Sequence, residues 1–326
     1  MRRRWVHGSR AVVLLGVLAV VLTGCSAHDT EKYLRFGWPT GVTKQAEEMR
    51  VLWSWSGVAA LMLGVIMWGL MFWCCLRYRK KDEDTIPRQF KYNLGIEITC
   101  FVIPLLVITG LFYRTVVVED NVNALSAHPD VLIQVDGFKW NWQFEYHTYR
   151  DVAGTVQTAG YPGQHDPQNP NQPYYASTVG SNNEIPVLVL PVGESIQVIE
   201  QADDVVHSFW VPEFLFKRDV IPWGAATPSA RLNRFEFTAT STGSFVGRCA
   251  ELCGTYHSQM NFEVRIVAPG VFLAYIAALE RIGPADPARQ SKALIAANVP
   301  GGPYATTTHP FDTSRTSRAA TEVSGG

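Results

Sequence analysis

The chain has 326 residues, enough for one or two domains beside membrane segments, and its formal net charge of −1 excludes a nucleic-acid partner recruited by bulk positive charge. Charged residues make up only 17% and there are 10 tryptophans, a balance that fits a protein spending part of its length in lipid. The 6 cysteines fall in three separate groups, which excludes the dispersed pattern of a small disulfide-stapled domain.

The chain opens with Arg2, Arg3 and Arg4, followed by an apolar run over 11–22 and then Leu22-Thr23-Gly24-Cys25. A basic start, a short apolar stretch and small residues before a cut site read as an export signal over 1–24. The run falls short of the roughly 20 residues that a span needs. Leu-Thr-Gly-Cys resembles a bacterial lipobox, which implies cleavage before Cys25 and lipidation of its sulfur. A plain signal peptide with an incidental Cys25 is the alternative. Residues 25–50 form an exported N-terminal segment.

Two longer apolar segments, 51–76 and 94–118, are each long enough to cross a bilayer. Between them, 77–93 carries Arg77, Arg79, Lys80, Lys81, Arg88 and Lys91, and the positive-inside rule puts this loop in the cytoplasm. Everything after the second span is then outside, in agreement with an exported N-terminus. Glu97 lies early in the second span, where an ionisable group is a functional candidate by default; a snorkelling interfacial carboxylate is the alternative.

From 119 to 282 the pattern is β. Residues 131–146 alternate and are rich in Val, Ile, Trp, Phe and Tyr, 186–200 give two apolar runs around Pro191-Val-Gly193, and 234–240 and 261–267 complete the set. Short strands punctuated by Gly and Pro indicate a Greek-key sandwich or barrel. Residues 271–281 read as a helix, 147–183 as a long Gly/Pro/Asn-rich insert, and 283–326 as a flexible tail. Residues 119–280 hold 18 acidic side chains against 8 basic ones, which would steer a basic partner or simply keep the domain soluble.

The stretch with chemistry is Cys249-Ala-Glu251-Leu-Cys253-Gly-Thr-Tyr-His257-Ser-Gln-Met260, with His207 upstream in Asp203-Asp204-Val-Val-His207-Ser-Phe-Trp-Val-Pro212. Thiols, imidazoles and a thioether together favour copper in an electron-transfer role over structural zinc. Two thiols four apart can bridge two copper ions, each capped by one imidazole. A Cys249–Cys253 disulfide or a zinc site remains open from these residues alone.

Two apolar spans, the aromatic stretch Gly137-Phe-Lys-Trp140-Asn-Trp142-Gln-Phe-Glu145-Tyr146, His207-Ser-Phe-Trp-Val-Pro and Cys-x-Glu-x-Cys-x-x-x-His-x-x-Met come in the order found in cytochrome c oxidase subunit II, which the chain resembles over most of 45–280. That resemblance implies an α+β membrane protein: a two-helix transmembrane hairpin followed by an all-β, cupredoxin-like Greek-key domain on the outer side of a bacterial cell membrane. It implies a binuclear copper centre held by His207, Cys249, Cys253, His257, Met260 and the Glu251 backbone carbonyl. It places the Glu251 side chain at a magnesium ion shared with subunit I, Trp140 where electrons enter, and Glu97 at the mouth of a proton path. The implied activity is to accept electrons from cytochrome c and pass them to the heme of subunit I, where oxygen is reduced to water and protons are pumped. The partners implied are subunits I and III and membrane lipid. Alternation puts Trp140 and Trp142 on one face, so the choice of Trp140 rests on the resemblance. Phe138-Lys139 stands where the family often has His-Gln. The insert and lipobox point to the actinobacterial branch, whose donor is a cytochrome c domain of the cytochrome bc complex. A quinol oxidase subunit lacks the copper ligands, and nitrous oxide reductase lacks the spans. A copper-binding or copper-delivering lipoprotein is the alternative of another class.

Overall fold

The computed structural model describes residues 35, 37–79, 89, 91–151, 154–158, 176–181, 184–222 and 233–307. The signal segment and Cys25, most of the loop over 77–93, most of the 147–183 insert and the last residues of the tail lie outside the described residues. The chain divides into two units, one of residues 1–40 and 50–104 and one of residues 41–49 and 105–326.

Helix α1 runs Lys44–Arg77 and helix α2 Leu94–Asn123, so both extend beyond the apolar segments read from sequence. Thr43 explains the early start of α1: its hydroxyl accepts the Ala46 N–H at 3.0 Å, an N-cap eight residues before the apolar run that begins at Val51. Both helices are long and apolar enough to cross a membrane, and no residue in the most apolar 18-residue stretch of each is buried within the chain. An apolar surface on every side of a helix is stable only where lipid or another protein covers it.

The second unit is a β-sandwich. One sheet has the order β3-β2-β1-β6-β9, from Val156–Thr158, Asn141–Arg150, Val131–Phe138, Ser195–Ala202 and Asn233–Thr238, with β4 (Ala176–Val179) also paired to β2. The other has the order β5-β11-β10-β7-β8, from Val187–Pro191, Asn261–Val267, Gly243–Cys249, His207–Val211 and Phe216–Val220. The β1–β6 and β5–β11 pairs are parallel and the others antiparallel. The period-2 apolar pattern drives the two sheets together, with Val131, Ile133, Val135, Trp142, Phe144 and Tyr146 of one sheet sharing a core with Phe209, Val211, Phe262, Val264 and Ile266 of the other. The expected architecture, two apolar helices followed by a cupredoxin-like β domain, is the one observed.

The flexible tail expected over 283–326 is corrected for its first part. Helix α3 (Pro269–Ile282) packs on β4 and β5, an edge strand of each sheet, and α4 (Arg289–Ala296) packs on α3. The Arg289 guanidinium donates to the Leu279 carbonyl at the end of α3 and to the Ser177 carbonyl in β4. Gln290 accepts the Val187 N–H at 2.7 Å and donates to the Ile185 carbonyl at 3.1 Å. Residues 301–307 then close over a fully buried ion pair on β11, Glu263–Arg265 at 2.6 Å. Arg265 donates to the carbonyls of Gly301, Gly302 and Tyr304, and Glu263 accepts from the Thr306 and Thr307 N–H groups and the Thr307 hydroxyl. A tail of Ala, Thr, Gly and Pro looks unstructured by composition, but it satisfies two charges that β11 cannot leave unpaired in the interior.

Replacing Arg265 with leucine strands the Glu263 carboxylate in a dry site. The expected cost is about 3–5 kcal/mol, read as a fall of roughly 10 °C in the thermal midpoint of the purified chain. Proteolysis beyond residue 283 should accelerate in parallel. An unchanged midpoint contradicts this account of the tail.

Candidate metal centre

Backbone pairing assembles the cluster. Strand β10 ends on Cys249 and β11 begins on Asn261, and their antiparallel ladder pairs Arg248 with Asn261. The Cys249 N–H donates to the Met260 carbonyl at 3.1 Å, so the eleven-residue connection is pinched shut at its base. That loop carries Glu251, Cys253 and His257, the last opening a 3₁₀ turn over His257–Gln259. On the other side of β10, Cys249 pairs with Phe209 of β7, the strand that begins on His207. The 42-residue sequence separation of His207 and Cys249 is thus bridged by adjacent strands.

The side chains converge. Cys249 Sγ and Cys253 Sγ are 3.8 Å apart. Cys249 Sγ lies 3.9 Å from His207 Nδ1 and 3.3 Å from the Glu251 carbonyl, whereas Cys253 Sγ lies 3.5 Å from His257 Nδ1 and 3.7 Å from Met260 Sδ. The ligand atoms of His207, Cys249 and Cys253 all fall within 4.8 Å of one another. His207 and Met260 are fully buried and the two thiols nearly so. Both cysteines are free, at a separation far from the ~2.05 Å of a disulfide bond. Two ligand atoms on one tetrahedral metal with bonds of about 2.3 Å stand roughly 3.8 Å apart, so the spacing and softness of this donor set fit a thiophilic metal.

Neighbours that sequence reading passed over hold the donors in place. The carboxylate of Asp204 lies 2.9 Å from His207 Nε2, which leaves Nδ1 directed at Cys249. Burial pushes the Asp204 carboxyl up, but hydrogen bonds from the Val205 N–H, the His207 ring and the Lys139 N–H outweigh it and hold the group below the usual carboxylate range. The signal was present in the Asp-Asp pair just before His207, but nothing in the sequence says which aspartate turns inward. At Gly137 a Cβ would stand 3.1 Å from the His207 ring, so glycine lets β1 pass this close. Trp142 is fully buried and its Nε1–H donates to the Met260 carbonyl at 3.3 Å.

Trp140 does not share a strand face with Trp142. It sits in the turn between β1 and β2, where strand alternation does not apply, and is partly buried. Its Nε1–H donates to the Cys253 carbonyl at 3.2 Å. The Glu251 side chain is exposed while its carbonyl faces Cys249. Glu97 is remote in sequence from the cluster and belongs to the start of α2. There its carboxylate accepts the Asn93 N–H at 3.2 Å while Asn93 Oδ1 accepts the Ile96 N–H, a reciprocal helix cap.

Fold and donor cluster together define a cupredoxin-like β domain with a cluster of soft donors, following two membrane-length helices in the sequence. The family model described as "Cytochrome C oxidase subunit II, periplasmic domain" matches residues 131–267. A "Probable cytochrome c oxidase subunit 2" of Nocardia farcinica is 43% identical over 345 residues, covering 94% of this chain and 88% of the relative. The "Cytochrome c oxidase subunit 2" of Mycobacterium tuberculosis is 42% identical over 330 residues, covering 93% and 88%. That of Corynebacterium glutamicum is 36% identical over 336 residues, covering 93% and 92%. The chain belongs to the cytochrome c oxidase subunit II family, and its curated relatives are mostly actinobacterial.

Burial, and then the neighbouring Cys249 thiol, push the Cys253 thiol up to about 12. A metal must displace that proton, so loading is favoured as pH rises and opposed as it falls. With two thiols deprotonating, affinity should drop by about a hundredfold per pH unit below neutrality. Competition against a chelator at pH 6 and pH 8 measures it, and a pH-independent affinity contradicts thiolate ligation.

Proposed function

We propose that this chain is the electron-receiving subunit of a proton-translocating cytochrome c oxidase. It takes electrons from cytochrome c, or from a cytochrome c domain of a cytochrome bc complex, and passes them to subunit I, where oxygen chemistry resides. The convergence of two free thiols, two imidazole Nδ1 atoms and a thioether at 3.5–3.9 Å spacings carries this reading.

His207, Cys249, Cys253, His257 and Met260, with the Glu251 carbonyl, would hold a pair of copper ions. These six donors, two of them thiolates, would suit two soft metal ions. A copper pair bound there supplies reversible one-electron chemistry with the charge change spread over two metals. The chain's own part is to keep the donors from moving. Asp204 fixes the His207 ring, the closed base of the β10–β11 loop fixes Cys249 and Met260, and buried aromatic rings leave the ligands little freedom. Trp140 links a partly exposed ring to the ligand loop through its bond to the Cys253 carbonyl, which supports its role as the point where electrons enter. The exposed Glu251 carboxylate is free to reach a magnesium ion at a boundary with subunit I.

In this reading α1 and α2 cross a bacterial cell membrane, the β domain stands outside, Cys25 carries lipid, and subunits I and III cover the exposed apolar helix faces. The Glu97 cap, at the cytoplasmic end of α2, sits at the mouth of a proton path.

Cys249→Ser and His207→Ala should each abolish turnover with cytochrome c, while subunit I in the purified complex still shows its heme absorption. Full oxidation of cytochrome c by the Cys249→Ser complex refutes the assignment.

A further inference from the structure

The ligand loop carries an aromatic ring, Tyr256, that the sequence motif does not single out. Tyr256 precedes His257 and has 51% of its surface exposed. Its ring meets Trp140 edge-to-face, with centroids 5.0 Å apart and an interplanar angle of 87°. The indole is confined on another side by Gly254, where a Cβ would stand 3.2 Å from both Cζ2 and Nε1 of Trp140. Gly254 has φ +121°, a backbone conformation that strains any other residue, so the loop can lie flat against the indole only with glycine there. Tyr256 is itself anchored, because its carbonyl accepts the Gln259 N–H at 2.9 Å in the 3₁₀ turn that presents His257. A cleft of about 710 Å³ opens beside both rings, lined in part by Lys139 and Ser181.

The indole needs this confinement. Trp140 sits in a turn, is not held in a strand ladder, and reaches the ligand loop through one hydrogen bond, Nε1–H to the Cys253 carbonyl. A ring that swings by an ångström or two loses that bond. Edge-to-face packing from Tyr256 and the close Gly254 backbone both oppose that swing.

We propose that Tyr256 is a positioning residue for electron transfer from the donor: its ring pins the Trp140 indole against the ligand loop and so maintains the Trp140–Cys253 hydrogen bond. This rests on the reading of Trp140 as the point where electrons enter. The action belongs to the ring, so phenylalanine should substitute for tyrosine and leucine should not.

The test uses the assembled, copper-loaded oxidase with Tyr256→Leu, Tyr256→Phe and Trp140→Leu. Two readouts are taken: the flash-initiated rate of electron transfer from the reduced native donor, and the ultraviolet resonance Raman N–H band of Trp140, isolated by difference from Trp140→Phe. Tyr256→Leu is expected to slow transfer by roughly ten- to a hundredfold, since a misplacement of about 1 Å can cost about a hundredfold. It should also shift the Trp140 band toward a weaker hydrogen bond. Tyr256→Phe should restore both, and the electron-spin spectrum of the copper site should be the same in both variants. A wild-type rate and band in Tyr256→Leu, a Tyr256→Phe variant as slow as Tyr256→Leu, or an altered copper spectrum in Tyr256→Leu each overturns the inference. Should Trp140→Leu itself transfer electrons at the wild-type rate, the reading beneath the inference falls, and the inference with it.

Discussion

Two thiols held 3.8 Å apart in a dry pocket are the constraint on which the rest of this molecule depends. Left alone, such a pair exported from the cell tends to oxidise to a disulfide. Here the closed base of the β10–β11 connection and the 3₁₀ turn at His257 hold the thiols at a spacing that suits a soft metal, and each faces its own imidazole. The long loop is therefore a rigid cup hung between two strands, with a third strand supplying His207 from the side.

The scaffold around the cup is organised to keep it still. Trp142 bonds to the Met260 carbonyl and stacks its edges against Phe209 and Phe262, residues from two strands of the opposite sheet. Gly137 lets β1 approach the His207 ring closely enough to support it. Further away, the Glu263–Arg265 pair recruits residues 301–307 to the outer side of β11, the strand that anchors one end of the cup. For the electron transfer proposed above, a site that hardly moves is an advantage, and the dense aromatic packing around these donors would serve that end.

Much of this was legible in the chain. Alternation in 131–146 and the paired runs around Gly193 gave β1, β2, β5 and β6, because short segments rich in Val, Ile, Trp, Phe and Tyr form strands, here buried along nearly their whole length. The donors were legible because cysteine, histidine and methionine at close spacing have few reasons to coincide. What stayed hidden was set by tertiary context. Trp140 and Trp142 look equivalent by alternation until the turn at 139–140 is seen to take Trp140 off the strand. Helix α4 is short and only half apolar, and its reason for folding is the end of α3 and the free edge of β5, which its own sequence does not announce. Asp204 and Tyr256 gain their roles from a hydrogen bond and a ring contact that sequence spacing does not specify.

The central claim is that one site in this chain shares its thiolates between two metals. Its most direct test is the copper content of the purified full-length chain, measured together with its electron-spin spectrum. This account expects two coppers per chain and hyperfine structure from one unpaired electron spread equally over two copper nuclei, both lost on Cys253→Ser. One copper per chain with a spectrum from a single nucleus, or no copper bound by the reduced protein, contradicts it.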